Sequence, residues 1–188
     1  VMSGVTIAET SGADLAADKC ERCHGADGNS DNEKVPNIAG FSAGYFEDTM
    51  TKYKEGSRPA GEQIETEGNE PTDMKMVAEA LTEEETKALG EYFAGQTFKP
   101  VEQETDAELV KEGKKAYKKR CKKCHVDNGS DPEDDAGILA GQRMSYLKEQ
   151  ITLFRSGDRE QAKKMKKQID RLSDEDAEAL VHFFASQK

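Results

Sequence analysis

The chain has 188 residues, with 27 basic side chains against 38 acidic ones and a formal net charge of −11. That length suits one large domain or two small ones, no stretch approaches the ~20 apolar residues of a membrane-crossing helix, and so acidic a field argues against nucleic acid as a partner. Leu, Ile, Val and Phe make up 30 residues, or 16%, a share that with high charge ordinarily reads as disorder; the helical periodicity throughout the chain implies that something other than side chains fills its core.

Taken in order, the chain opens at Val1 without a hydrophobic targeting segment, as a processed or trimmed protein would. A first helix is expected from near Ser11, running into Cys20-Glu-Arg-Cys23-His24. A middle helix is expected over about 42–54, with Gly56 suited to its C′ position. An acidic stretch then leads to Met74, and Thr82-x-x-Glu85 forms a capping box for a last helix. Residues 98–105, with one proline and little apolar content, read as a linker. The same order then returns. A helix is expected from near Thr105, with Leu109, Val110, Gly113, Ala116 and Tyr117 at three- and four-residue steps. It runs into Cys121-Lys-Lys-Cys124-His125. A middle helix follows over about 144–155 ahead of Gly157, then Met165, then a last helix from Ser173 with a weaker capping pair, Ser173-x-x-Asp176. Alternating strand patterns are absent, so the expected class is all-α.

This return is an internal repeat. The two cysteine motifs lie 101 residues apart, as do Ile38-Ala39-Gly40 and Leu139-Ala140-Gly141, and Tyr53-x-x-Gly56 and Phe154-x-x-Gly157. Beyond that the offset falls to 91, where Met74 matches Met165 and Tyr92-Phe93-Ala94 matches Phe183-Phe184-Ala185. The first copy therefore holds a ten-residue insertion between about Arg58 and Met74. The expected organisation is a domain over 1–97, a linker over 98–105 and a domain over 106–188. Charge divides along the same line. Residues 1–100 carry 9 basic and 20 acidic side chains, and residues 101–188 carry 18 of each.

All four cysteines lie in Cys-x-x-Cys-His motifs, the pattern of covalent c-type haem attachment. Two thiols three positions apart reach two vinyl groups on one edge of a porphyrin, and the adjacent histidine offers its imidazole to the iron. A zinc site needs four ligands brought together, and each repeat offers two cysteines and a histidine with no evident fourth. Structural disulfides are the other plain reading. Two haem macrocycles would also supply the missing apolar bulk. Methionine opposite histidine is a standard ligand set that raises the reduction potential. Met74 and Met165 are the methionines that match each other across the repeat, so they are the expected sixth ligands, with core filling as their ordinary alternative. Met76 competes with Met74, but its repeat equivalent is Lys167. His182, on the last helix beside Phe183-Phe184, is expected to pack rather than to ligate.

Two Cys-x-x-Cys-His repeats, each followed by [Ile/Leu]-Ala-Gly, [Phe/Tyr]-x-x-Gly, a methionine and a terminal helix, resemble the soluble dihaem class I cytochromes c. The first half, in Cys23-His24-Gly25-x-x-Gly28-x-Ser30 and Pro36-Asn37-Ile38-Ala39-Gly40, is similar to the cytochrome c4 family. The second half, in Lys123-Cys124-His125-Val126, Ile138-Leu139-Ala140-Gly141-Gln142 and Lys163-Lys164-Met165, is similar to the dihaem subunit of flavocytochrome c sulfide dehydrogenase, as is the linker Gln96-Thr97-Phe98-Lys99-Pro100. The resemblance implies two cytochrome c domains about a pseudo-twofold axis, with haem one held by Cys20, Cys23, His24 and Met74 and haem two by Cys121, Cys124, His125 and Met165. The acidic insertion departs from it next to Met74.

An iron with both axial positions filled has no open site for substrate, so outer-sphere electron transfer is the expected work and no residue is assigned a catalytic role. A haem enzyme or ligand sensor, peroxidase-like or thiosulfate dehydrogenase-like, would need an open or displaceable position. The expected partners are redox proteins: a sulfide-oxidising flavoprotein subunit, other cytochromes, an oxidase or a reductase. Lys114, Lys115, Lys118, Lys119 and Arg120 lead into the second haem motif and Lys122 and Lys123 lie within it, and Lys163, Lys164, Lys166 and Lys167 surround Met165. These form an expected docking face for an acidic partner. The insertion, with Glu62, Glu65, Glu67, Glu70, Asp73 and no basic residue, presents the opposite field. Covalent haem attachment occurs outside the cytoplasm, so a bacterial periplasm is the expected location.

Overall fold

Residues 10–132 and 136–188 are described by a computed structural model. Met2 and the expected start of the first domain at residue 1 lie outside the described residues. The first repeat contains α1 (Gly12–Lys19), α2 (Glu21–His24), α3 (Ala43–Glu55), α4 (Met74–Glu79) and α5 (Glu83–Ala94). The second contains α6 (Ala107–Arg120), a single 3₁₀ turn over Asp127–Gly129, α7 (Met144–Ser156), α8 (Lys163–Ile169) and α9 (Asp174–Ala185). Among the described residues the only β pairing is one isolated antiparallel bridge, Ile64 with Thr72, inside the insertion.

The helix boundaries follow local chemistry. Ser11, Ser42 and Ser173 each accept a hydrogen bond from a first-turn amide as N-caps. Thr82 and Glu85 make the full reciprocal box, whereas Ser173 makes only its own half. Gly56 and Gly157 end the middle helices in the left-handed region, at φ 75° and 86°. α6 starts one residue later than Thr105 suggested, because the Asp106 carboxylate accepts from the amides of Glu108 and Leu109. The methionine segments, expected only to fold over the haem, are themselves short helices. Asp73 caps the first of them by accepting from Lys75 and Met76 N–H.

The two cores use the same repeat positions. Leu15, Ala16, Phe46, Leu81, Leu89 and Phe93 are buried in the first. Ala116, Tyr117, Leu147, Leu172, Leu180 and Phe184 are buried at the matching places in the second. Burying each large apolar side chain contributes about 1.5–3 kcal/mol. The first and last helices of each unit cross closely. A Cβ on Gly12 would lie 2.3 Å from the Ala88 carbonyl oxygen, and one on Gly113 would lie 2.0 Å from that of Ala179. Each Ala-Gly segment folds back in the same way. Gly40 N–H donates to Phe93 O at 2.8 Å, and Gly141 N–H to Phe184 O at 2.8 Å.

The two units are joined by a polar seam. Gln142, fully buried, accepts from Asn37 N–H at 3.1 Å and donates to Asn37 O at 2.8 Å. Asn37 Nδ2 also donates to the linker carbonyl of Lys99 at 2.8 Å. Arg143 donates to the carbonyls of Val35 and Ser30, and Ser145 to that of Glu33. His182, as expected, packs: its Nδ1 accepts from Asp106 N–H at 3.0 Å and ties α9 to the start of α6.

Candidate haem sites

In the first unit α1 delivers Cys20, and the single turn of α2 carries Cys23 and His24, so one short helical stretch presents two thiols and an imidazole. His24 is 6% exposed, and its Nδ1 lies 3.0 Å from Pro36 O. The carbonyl accepts a hydrogen bond from Nδ1–H there, which sets the tautomer and leaves Nε2 with a free lone pair. Burial lowers the His24 pKa and the Pro36 bond only partly opposes it, so the ring is held neutral, as a metal ligand must be. Burial also pushes the Cys20 thiol up to about 12 and raises that of Cys23. Among the described residues no disulfide joins the four cysteines. Among the described residues no three His, Cys, Asp or Glu side chains converge to hold a bare metal ion.

Cys20, Cys23, His24 and Met74 line one cavity of about 420 Å³. Apolar walls come from Phe46, Met50, Val77 and Leu81. Met76, two residues along α4 from Met74, is 46% exposed, and Gln63 Nε2 lies 3.4 Å from its sulfur. Arg58, 4% exposed, also lines the cavity, and its Nε is buried without a hydrogen-bond partner. A cavity with apolar walls, lined by two thiols, a neutral imidazole, a thioether and a guanidinium whose Nε lacks a partner, fits a haem, whose acidic side groups would meet the arginine.

Sequence reasoning missed part of this wall. Ser145, Tyr146, Glu149 and Gln150 of α7 line the first cavity although they belong to the second repeat. Arg58 was noted only as the edge of the insertion. A signal for it existed: Arg58 and Arg159 match at the 101-residue offset, each two residues past a matched glycine. The structure repeats their setting. Arg58 lies over the Tyr53 ring at 4.8 Å and Arg159 over the Phe154 ring at 4.3 Å. Arg58 donates to Tyr146 Oη at 2.8 Å, and Arg159 in turn pairs with the Tyr45 hydroxyl. Burial opposes ionisation of Tyr45, but the two guanidinium groups outweigh it and hold the phenol below its ordinary range.

The second set is more open. Cys124 is exposed, while Cys121, His125 and Met165 are half-buried. Cys121 and Met165 border the same apolar cluster, which holds Tyr117, Leu147 and Leu172. Tyr117 Oη donates to His125 O at 2.7 Å and accepts from Asn128 N–H at 3.0 Å, fixing the backbone after the motif. Burial pushes the Cys121 thiol up to about 11. The thiols, imidazole and thioether of this set are of the types a second haem requires.

Comparison with known proteins agrees with this geometry. The family described as Cytochrome c matches twice, over residues 10–96 and 110–188. Cytochrome c4 of Stutzerimonas stutzeri is 31% identical over 177 residues, covering 87% of this chain and 82% of that protein. The crystal structure of reduced recombinant cytochrome c4 from Pseudomonas stutzeri superposes with a TM-score of 0.75 at 27% identity, covering 94% of this chain and 97% of that one. The cytochrome subunit of sulfide dehydrogenase from Chlorobaculum tepidum is 36% identical over 74 residues, covering 39% of this chain and 56% of that protein. The chain therefore belongs to the cytochrome c family, as two tandem cytochrome c domains of the dihaem, electron-transferring c4 type with two covalent haem c groups.

Proposed function

We propose that this protein is a freely diffusing periplasmic electron carrier whose two haems meet different partners. In this reading Cys20 and Cys23 would hold haem one, with His24 and Met74 as the ligands to its iron. Cys121 and Cys124 hold haem two, with His125 and Met165. The domains span 1–97 and 106–188 and are joined by 98–105. The observation that carries the ligand reading is that Cys20, Cys23, His24 and Met74 all line one cavity while Pro36 holds His24 Nδ1. Haem, once bound, supplies a one-electron couple. The chain's part would be to supply both protein ligands to the iron, which would leave no position for substrate. The apolar wall of Phe46, Val77 and Leu81 would keep water from a ring held in this cavity.

A free carrier is favoured over a permanent flavocytochrome subunit because the likeness to cytochrome c4 extends over most of both chains, while that to the sulfide dehydrogenase subunit covers 39% of this one. Among the described residues no helix is long and apolar enough to cross a membrane. Partner choice follows from charge. Lys163, Lys164, Lys166 and Lys167 on α8 are exposed beside Met165, whereas the exposed residues Glu62, Glu65, Glu67 and Glu70 lie on the insertion that leads into Met74, and Glu62 lines the cavity. These fields would steer an acidic partner to haem two and a basic one to haem one.

Two experiments test this reading. Met74→His and Met165→His should each lower one of the two reduction waves and leave the other, because histidine in place of methionine lowers the potential; a variant that moves neither wave removes that residue from the ligand set. Reversing Lys163, Lys164, Lys166 and Lys167 to glutamate should slow exchange with an acidic small redox protein at low salt, with the effect fading as salt rises. The same variant should leave exchange with a basic redox protein unchanged. Equal slowing with both would refute separate docking faces.

A further inference from the structure

α4 carries two methionines two residues apart, and they meet different surroundings. Met74 lines the first cavity, while Met76 is 46% exposed. Met50 is buried, and Met144 and Met165 are half-buried, so among the described residues Met76 offers the most open thioether. Its sulfur has a polar neighbour. Gln63 Nε2, on the insertion, lies 3.4 Å from Met76 Sδ. A thioether is a weak acceptor, so this amide donor meets a poor partner.

The insertion around Gln63 is part of the cavity wall. Glu62 and Ile64, its two neighbours, line the cavity, as do Pro59, Ala60 and Gly61. Ile64 and Thr72 exchange backbone hydrogen bonds at 2.7 and 3.1 Å, which close the insertion on itself rather than on the rest of the domain. Glu62 meets Lys34 at 3.1 Å, but both side chains are largely exposed, and such a pair contributes little. The Gln63–Met76 contact joins this wall to the helix that carries Met74, and at present it is weak.

We propose that Met76 is a peroxide-reactive site whose sulfoxide latches the insertion to α4. The step is a two-electron oxygen transfer from hydrogen peroxide. The Met76 sulfur attacks one peroxide oxygen, an S–O bond forms and the O–O bond breaks. The proton of the transferred oxygen passes to the departing hydroxide, which leaves as water. Sulfur is oxidised and peroxide is reduced. The new oxygen is a strong acceptor, and Gln63 Nε2 is in place to donate to it. Sulfoxide reductases reverse the step, which makes it a switch rather than a lesion. Met74 is spared because its sulfur faces the cavity and, in the ligand reading above, the iron; the proposal rests on that reading for this point alone.

The test treats the haem-loaded ferric protein with hydrogen peroxide, stops the reaction with catalase and maps the peptides by mass. Tryptic cleavage after Lys75 puts Met74 and Met76 in different peptides. Met76 should gain one oxygen before Met50, Met74, Met144 or Met165, and any of these gaining it first overturns the proposal. A glutamate-specific protease reads the latch, because the insertion presents Glu62, Glu65, Glu67 and Glu70. Cleavage there should be about fivefold slower after oxidation, as one ordinary hydrogen bond supplies when cleavage follows a fast opening equilibrium. Methionine sulfoxide reductase should restore the original rate. Gln63→Leu should be oxidised at Met76 and show no slowing, and Met76→Leu should show neither effect. Unchanged or faster cleavage of the oxidised wild type, or slowing that persists in Gln63→Leu, overturns the latch. Met74→His separates the two readings. If Met74 is oxidised in place of Met76 and Met74→His moves no reduction wave, the ligand reading and the proposal both fail. If it moves one wave, the ligand reading stands and only the proposal falls.

Discussion

Gly113 sits where α6 meets α9, and the contact admits no side chain. A Cβ there would come within 2.0 Å of Ala179 O and 2.6 Å of Phe183 Cβ, neither of which is a flexible tip. Gly113→Ala should therefore force the helices apart and destabilise the second domain by about 1–3 kcal/mol or more, read as a lower midpoint in denaturant unfolding. Gly12 faces Ala88 and Tyr92 in the same way, so Gly12→Ala should act alike on the first domain. At this scale the sequence showed Gly113 only as one member of an apolar stripe. Its glycine identity is explained by a neighbour some seventy residues away. The same limit applied to Met74 and Met76. Two residues apart on a helix lie on nearly opposite faces, and α4 turns Met74 to the cavity and Met76 to solvent.

The elements themselves were largely legible, because caps and periodicity are local. Ser11, Ser42, Thr82 and Ser173 start helices with side chains that satisfy free amides, and the two middle helices end at left-handed glycines. The short α4 and α8 were not read as helices, since six or seven residues carry too little periodicity to declare themselves. Asp106 gives a test that depends on pH. Amide hydrogen bonds from Leu109, then Glu108, hold its carboxyl below the ordinary carboxylate value. A depressed carboxylate stabilises the fold above its unfolded pKa and loses that contribution as pH falls through the folded value. The stability gap between wild type and Asp106→Ala should therefore be full near neutral pH and shrink as pH falls below about 4, measured as unfolding midpoints over a pH series. A gap that grows on acidification would contradict the capping role.

For the molecule as a whole, the seam between domains is polar and specific. Gln142 and Asn37 satisfy each other in a site closed to water, and Arg143 and Ser145 add donors to first-domain carbonyls. Gln142→Ala leaves the N–H and C=O of Asn37 without these partners. It should cost about 1–3 kcal/mol of docking stability and separate one cooperative unfolding transition into two. A single, undisplaced transition would show that the seam is not what couples the domains.

The sequence by itself determined the repeat, the all-helical class, the haem-attachment motifs and the matched methionines, because each depends on spacing along the chain. Tertiary structure decided what spacing along one chain segment does not encode: which face of α4 meets the cavity, the closeness of the α6–α9 contact, and the entry of Tyr146 from the second domain beside Arg58 in the wall of the first. The physical reason is the same in each case. A cavity is closed by side chains distant in sequence, and which of them meet is set by the packing of whole helices and of one domain against the other.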